Sequence, residues 1–202
     1  MEYKTTQIFG LPIIKFEREY LLNNNELNFI SNTEYEKSNP DNSAYISTNK
    51  NILTEDNLSN LKQKFFDCAR KYIEDIICVN NQFDMTHSWA AKSNKEHHQH
   101  NHKNSIINVV YYAQAESAQL KFTRLKNLIT EAYDFDLDYQ SFNLYNAFET
   151  AINIKSGDFV LFPGHLVHTG YNLSNKEKIT IAANFFIKGQ VGFENNVSGL
   201  VI

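Results

Sequence analysis

Apolar positions along this chain change rhythm near residue 80. Before that point Leu58, Leu61, Phe65, Ala69, Tyr72, Ile73 and Ile76 recur every three or four residues, which puts their side chains on one face of a helix. The spacing predicts a helix from about Glu55 to Ile77, with Thr54 as its cap and Glu55 and Asp56 suited to its first turn. A second helix is predicted over residues 17–30, although the run Asn23-Asn24-Asn25 works against it. Residues 7–16 read as an opening strand kinked at Gly10 and Pro12, and the polar stretch 31–52 around Pro40 reads as a loop.

Beyond residue 80, β-branched and aromatic residues gather in short runs. Strands are predicted over residues 83–89, 106–112, 140–150, 158–162 and 179–187. Helices first and strands afterwards describe an α+β domain, mainly β. N-terminal helices (about 17–77) would brace an antiparallel sheet or barrel (about 83–187). No repeat, linker or low-complexity run interrupts the pattern, so residues 1–202 are expected to form a single domain.

Composition narrows the function classes. With 42% hydrophobic and 21% charged residues, the chain reads as globular rather than disordered. A net charge of −4 without a long basic run makes a broad electrostatic grip on nucleic acid unlikely. No 18-residue apolar stretch predicts a membrane span, and residues 1–10 lack a signal-peptide pattern, so a cytoplasmic location is expected. Cys68 and Cys78, ten residues apart on the predicted helix, point in different directions and read as buried thiols in a reducing compartment.

The chemistry sits in the histidines. All seven lie between residues 87 and 168, and four fall in the run His97-His98-Gln99-His100-Asn101-His102. Neutral imidazole is the commonest metal ligand, and clustering is a stronger signal than any single copy. A His-x-His pair entering a strand puts both rings on one face, and a third ligand must come from elsewhere in the fold. His168, which follows the strand Asp158-Phe159-Val160-Leu161-Phe162 through Pro163-Gly164, is the candidate. Two plainer readings stand beside this one: an adventitious metal-binding loop, and a shifted pair of His98 with His100.

The segment from His100 to Tyr111-Tyr112 resembles the metal-binding strand of a family of 2-oxoglutarate- and iron(II)-dependent oxygenases found in marine bacteria and phages. That pattern is His-x-His, a short polar pair, Ser, then a strand ending in Tyr-Tyr. Trp89 matches a tryptophan just upstream, Gly157 to Pro163 with His168 resembles the second metal strand, and Lys178 to Phe185 resembles the strand that follows. The resemblance spans roughly residues 85–187, with a weaker echo in Phe9-Gly10-Leu11-Pro12. Three positions depart from it: Asn108-Val109 replaces Ser-Gly, His165 replaces Trp, and Lys178 replaces Arg.

The resemblance implies a double-stranded β-helix, a jelly-roll or cupin-like barrel, holding Fe(II) through His100, His102 and His168. His102 stands where most members of the wider superfamily have a carboxylate. It also implies 2-oxoglutarate and dioxygen as co-substrates, hydroxylation of an unidentified substrate, and succinate and CO2 as co-products. Lys178 would pair with the distal carboxylate of 2-oxoglutarate, as lysine does in prolyl hydroxylases. By alternation Thr180 lies beside it. Either Tyr111 or Tyr112 would bond the co-substrate while the other packs, Tyr112 sharing parity with His100 and His102, and two core aromatics is the plainer reading. His165 reads as a pocket-rim residue, His87 as structural and Glu96 as a minor candidate ligand; Glu149 and Asp158 have no assigned role. Two other functions fit the same residues: a three-histidine cupin-type dioxygenase that uses no 2-oxoglutarate, and a non-catalytic metal-binding β-barrel protein.

Overall fold

The structure is a computed structural model that describes residues 2, 4, 10–38, 44–124, 130, 136–193, 197 and 199–202. It is mainly β. In chain order the elements are β1 (Ile14–Phe16), α1 (Asn24–Asn32), β2 (Tyr35–Lys37), β3 (Ala44–Ser47), α2 (Ser59–Tyr72), β4 (Gln82–Ser93) and β5 (Ile107–Gln114). They continue with β6 (Ala118–Thr123), β7 (Glu149–Ile154), β8 (Phe159–Pro163), β9 (Val167–Asn172), β10 (Lys178–Lys188), and a small pair, β11 (Gln190–Val191) and β12 (Leu200–Val201). Seven strands form one antiparallel sheet in the order β1-β8-β5-β10-β4-β3-β2, and three form a second in the order β7-β6-β9. No described helix is long and apolar enough to cross a membrane.

Strand alternation divides the core in two. One face of the large sheet carries Val109, Tyr111, Phe159, Leu161, Ile181, Ala183 and Phe185, which pack with Leu61, Phe65, Ala69 and Tyr72 of α2. Phe65 meets Phe159 edge-on at 5.2 Å. The other face carries Val110, Tyr112, Val160, Phe162 and Ala182, which pack with Ala118, Leu120 and Phe122 of β6 and Ile154 of β7. The two sheets therefore face each other across an apolar layer. Among the described residues their hydrogen-bond ladders stay separate rather than closing into one barrel, and isolated bridges with a few further backbone hydrogen bonds link β9 to the segment between β4 and β5.

Several elements differ from expectation. The asparagine run starts α1 rather than opposing it: Asn23 Oδ1 accepts from Glu26 N at 3.0 Å while Glu26 Oε2 accepts from Asn23 N at 2.9 Å, a reciprocal cap. Residues 31–52 hold β2 and β3 at the sheet edge; Pro40 lies outside the described residues. The opening strand is only Ile14–Phe16, and residues 7–9 also lie outside the described set. Thr54 does not cap the long helix; its hydroxyl donates to Asn51 O, short 3₁₀ turns intervene, and α2 begins at Ser59. Most of residues 140–150 is irregular, with a turn at 144–146 and β7 starting only at Glu149. Cys68 is buried and Cys78 is exposed, the latter in a left-handed conformation where the helix ends.

Candidate metal centre

Three elements bring the site together. His168 lies on β9, not in a turn, and its Cα partner on β6 is Phe122, so its ring points into the inner apolar layer. The His-x-His pair precedes β5 rather than lying in it. His100 forms an antiparallel bridge with His168, exchanging hydrogen bonds of 3.1 and 2.9 Å. His102 N then donates to Gly164 O at 3.0 Å. A Cβ at Gly164 would overlap the Ser105 carbonyl, so only glycine lets the β8–β9 turn pass this close to the histidine segment.

The rings of His100, His102 and His168 are mutual neighbours, with centroids 4.5 to 5.1 Å apart. One ligand atom from each lies within 4.8 Å of the others. Each Nδ1 already has an acceptor: His98 O for His100 at 2.8 Å, Asn184 Oδ1 for His102 at 2.7 Å, and Leu166 O for His168 at 3.0 Å. A carbonyl oxygen can only accept, so each Nδ1 carries the hydrogen and each Nε2 keeps a free lone pair. His102 Nε2 is buried with no partner at all. Such an orphan is costly in a closed protein and is what a metal ligand looks like before its metal.

Burial keeps these rings neutral. It pushes His168 down to about 3 and His102 to about 4, and it lowers His100 as well. Trp89 stacks on His102 at 5.3 Å, and Phe162 meets His168 edge-on at 4.7 Å, giving the cluster an apolar wall.

β10 supplies the polar side of the same face. Lys178, Thr180, Ala182 and Asn184 alternate with Ile179, Ile181, Ala183 and Phe185, and the second set belongs to the α2-facing core. Ala182 packs in the inner layer and Asn184 reaches His102, which fixes the first set as inward. Lys178 is 4% exposed, and a Cβ on Gly170 of β9 would stand 2.9 Å from its Nζ. Burial alone pushes its amine down to about 8. Thr180 and Tyr112 are Cα partners across β10 and β5; Tyr112 is buried in the inner layer, and burial raises its phenol. Tyr111 faces the other core and donates to Tyr20 O.

Other candidates fall elsewhere. His87 and His165 are exposed, and Glu96 bridges to Tyr171 rather than joining the ring cluster. Glu149 pairs with Lys121, and Asp158 accepts from Arg18 N and Lys155 N to tie the turn before β8. Sequence reasoning missed Asn184 as the partner of His102 and Gly170 as the opening beside Lys178. It also missed that Asn108 is fully buried with its Nδ2 unpartnered. Parity with Lys178 was the one signal pointing to Asn184.

With this geometry in view, the comparisons are specific. Residues 87–184 match the family model described as "Putative 2OG-Fe(II) oxygenase". This match, over just under half of the chain, indicates a 2OG-Fe(II) oxygenase. The match runs from β4 to β10 and so includes all three histidines, Lys178 and Asn184. No curated protein matches the sequence. Among solved structures, the chain resembles a prolyl-4-hydroxylase from Pseudomonas putida, at 11% identity and TM-score 0.58, covering 89% of this chain and 94% of that one. It also resembles HygX from Streptomyces hygroscopicus, solved with nickel, 2-oxoglutarate and hygromycin B, at 10% identity and TM-score 0.57 over 87% and 82% of the two chains. A third is SnoN, a non-haem α-ketoglutarate-dependent epimerase from nogalamycin biosynthesis, at 8% identity and TM-score 0.61 over 93% and 83%. At these identities the likeness is one of fold.

Proposed function

We propose that this oxygenase is a 2-oxoglutarate- and Fe(II)-dependent dioxygenase that hydroxylates its substrate, with His100, His102 and His168 as the iron ligands. The observation that carries the reading is the convergence of three Nε2 lone pairs, one of them orphaned, on the face that also holds a buried lysine. Iron with 2-oxoglutarate supplies oxidation by dioxygen, decarboxylating the co-substrate to succinate and CO2 while the substrate gains a hydroxyl. The two facing sheets would form a double-stranded β-helix within one domain, braced on its outer face by α2. Cytoplasmic reducing conditions suit both a ferrous site and the two free cysteines.

The chain's own residues divide the remaining work. Three neutral imidazoles leave the site one unit more positive than a set with a carboxylate, which favours capture of a dianion. Lys178 pairs with the distal carboxylate as a point charge in a water-poor setting, and Thr180 adds a hydroxyl donor beside it. Tyr112 lines the pocket at the register of Thr180. Trp89 and Phe162 keep water from the rings, and Asn184 holds the His102 tautomer. The buried cation is what favours this reading over a three-histidine dioxygenase without 2-oxoglutarate. The test is Fe(II)-dependent succinate formation from 2-oxoglutarate, followed by NMR. Wild type should form succinate slowly even without substrate. Lys178→Ala should need about tenfold or more 2-oxoglutarate for the same rate, in line with losing a buried charge pair. Equal 2-oxoglutarate dependence in the two proteins would remove Lys178 from the site.

A further inference from the structure

His97 and His98 take no part in the cluster just described, yet they are not scattered. Their rings lie 4.7 Å apart, and 5.2 and 4.7 Å from the ring of His100. One ligand atom from each of the three lies within 4.8 Å of the others. A local irregularity of the backbone accounts for this. Glu96 bridges to Tyr171 and His100 to His168, so four steps along one segment match three along β9. The extra residue is a bulge, which turns the adjacent His97 and His98 rings to the same side.

His97 is the informative member. Both of its ring nitrogens are buried without a hydrogen-bond partner. A desolvated imidazole with neither nitrogen satisfied is unfavourable unless something binds it. His98 is exposed, and a cavity of about 230 Å³ opens beside the pair, its walls including Glu96, His97, His98 and the ion pair of Glu149 with Lys121. The three rings thus run from solvent to the buried centre, with His100 common to both groups. His100 has a single lone pair to offer, because its Nδ1 donates to His98 O. One nitrogen cannot ligate two ions at once.

We propose that His97, His98 and His100 form a second site, for a borderline divalent transition-metal ion, at the mouth of the first. Sharing His100 makes the two sites alternatives, so an ion captured outside is passed inward by exchanging His97 and His98 for His102 and His168. An all-imidazole set selects iron, nickel or zinc over magnesium or calcium. The inference rests on the inner triad being the resident iron site, and it assigns a role to two histidines which that site does not use.

Zinc titration calorimetry tests the second site directly. The double variant His102→Ala/His168→Ala should still bind one Zn²⁺, and adding His98→Ala should weaken that binding about tenfold or more. Wild type should bind one ion, not two. Equal zinc binding by the double and triple variants, or two ions in wild type, would overturn the proposal. Should the double variant not fold, uptake of Fe²⁺ by wild type and His98→Ala can be followed anaerobically by stopped flow. His98 is exposed, so its replacement leaves the fold intact. Uptake should slow measurably while the final affinity changes little. An unchanged uptake rate would overturn the relay, and a lost final affinity would make His98 a resident ligand instead. Failure of the inner triad has a different signature: His102→Ala and His168→Ala would each keep full iron affinity.

Discussion

His102 is held between two unlike neighbours: Trp89 stacks on its ring, and Asn184 takes the hydrogen from its Nδ1. The second contact decides which nitrogen is free, so Asn184 acts through His102 rather than on the substrate. Asn184→Leu should lower Fe(II) affinity by about 10- to 100-fold with the fold retained, measured by anaerobic titration. Lys178 presents the opposite balance, with its amine buried against Gly170 and lowered by burial to about 8 from 10.5. Between those two values the unfolded chain holds a proton that the folded chain does not. Ligand-free protein therefore gains stability as pH rises from about 8 to about 10.5 and loses it as pH falls through about 8. Lys178→Met should raise the stability of the ligand-free protein at pH 7, by ~3 kcal/mol on this linkage alone, while weakening 2-oxoglutarate binding. Melting temperature and 2-oxoglutarate affinity against pH test both halves. The affinity should fall above about pH 8, where the amine loses its charge.

Among the elements, β5, β8 and β10 were legible in sequence from their apolar faces, and β4 was legible from its aromatic and β-branched run although much of it is only half-buried. β9 was not, because Val167-His168-Thr169-Gly170-Tyr171-Asn172 carries no apolar alternation; the parity of its site histidine His168 is shared by Gly170, beside Lys178, and by Asn172, whose amide donates to Ser93 O and Lys176 O. The site thus hid the strand that carries it. The asparagine run ahead of α1 misled for a related reason: propensity counts against asparagine inside a helix, whereas at the cap the same side chain starts one. The sequence spacing brings the rings of His100, His102 and His168 together and puts Lys178 on the inward face of β10, although the His-x-His pair lies ahead of β5 rather than in a strand. The ring cluster of His97, His98 and His100 was not legible, because it depends on a bulge that no alternation reveals. Gly164 is where element geometry bears most directly on chemistry, since the Ser105 carbonyl occupies the place of a Cβ. Gly164→Ala should push the histidine segment away from the β8–β9 turn. Iron affinity should fall together with thermal stability, by about 1–3 kcal/mol in the latter as expected for overpacking, measured by metal titration and thermal unfolding.

At the scale of the molecule, one sheet serves two masters. Its outer face binds α2 through Phe65, Leu61 and Tyr72, and its inner face closes with the small sheet over the histidines and Lys178. The apolar layer packs the inner face against β6, and the bridge of His100 to His168 ties the histidine segment to β9. One composite site is therefore expected: iron on three histidines, with 2-oxoglutarate between the iron and Lys178. The most direct measurement is an anaerobic titration of wild type with Fe(II) and then 2-oxoglutarate, watching for the visible charge-transfer band of the iron chelate. The band should appear in wild type and in His98→Ala. It should be lost in His100→Ala, His102→Ala and His168→Ala, and should need more 2-oxoglutarate in Lys178→Met. A band that survives His102→Ala and vanishes in His98→Ala would move the resident iron to the outer histidines and contradict the account.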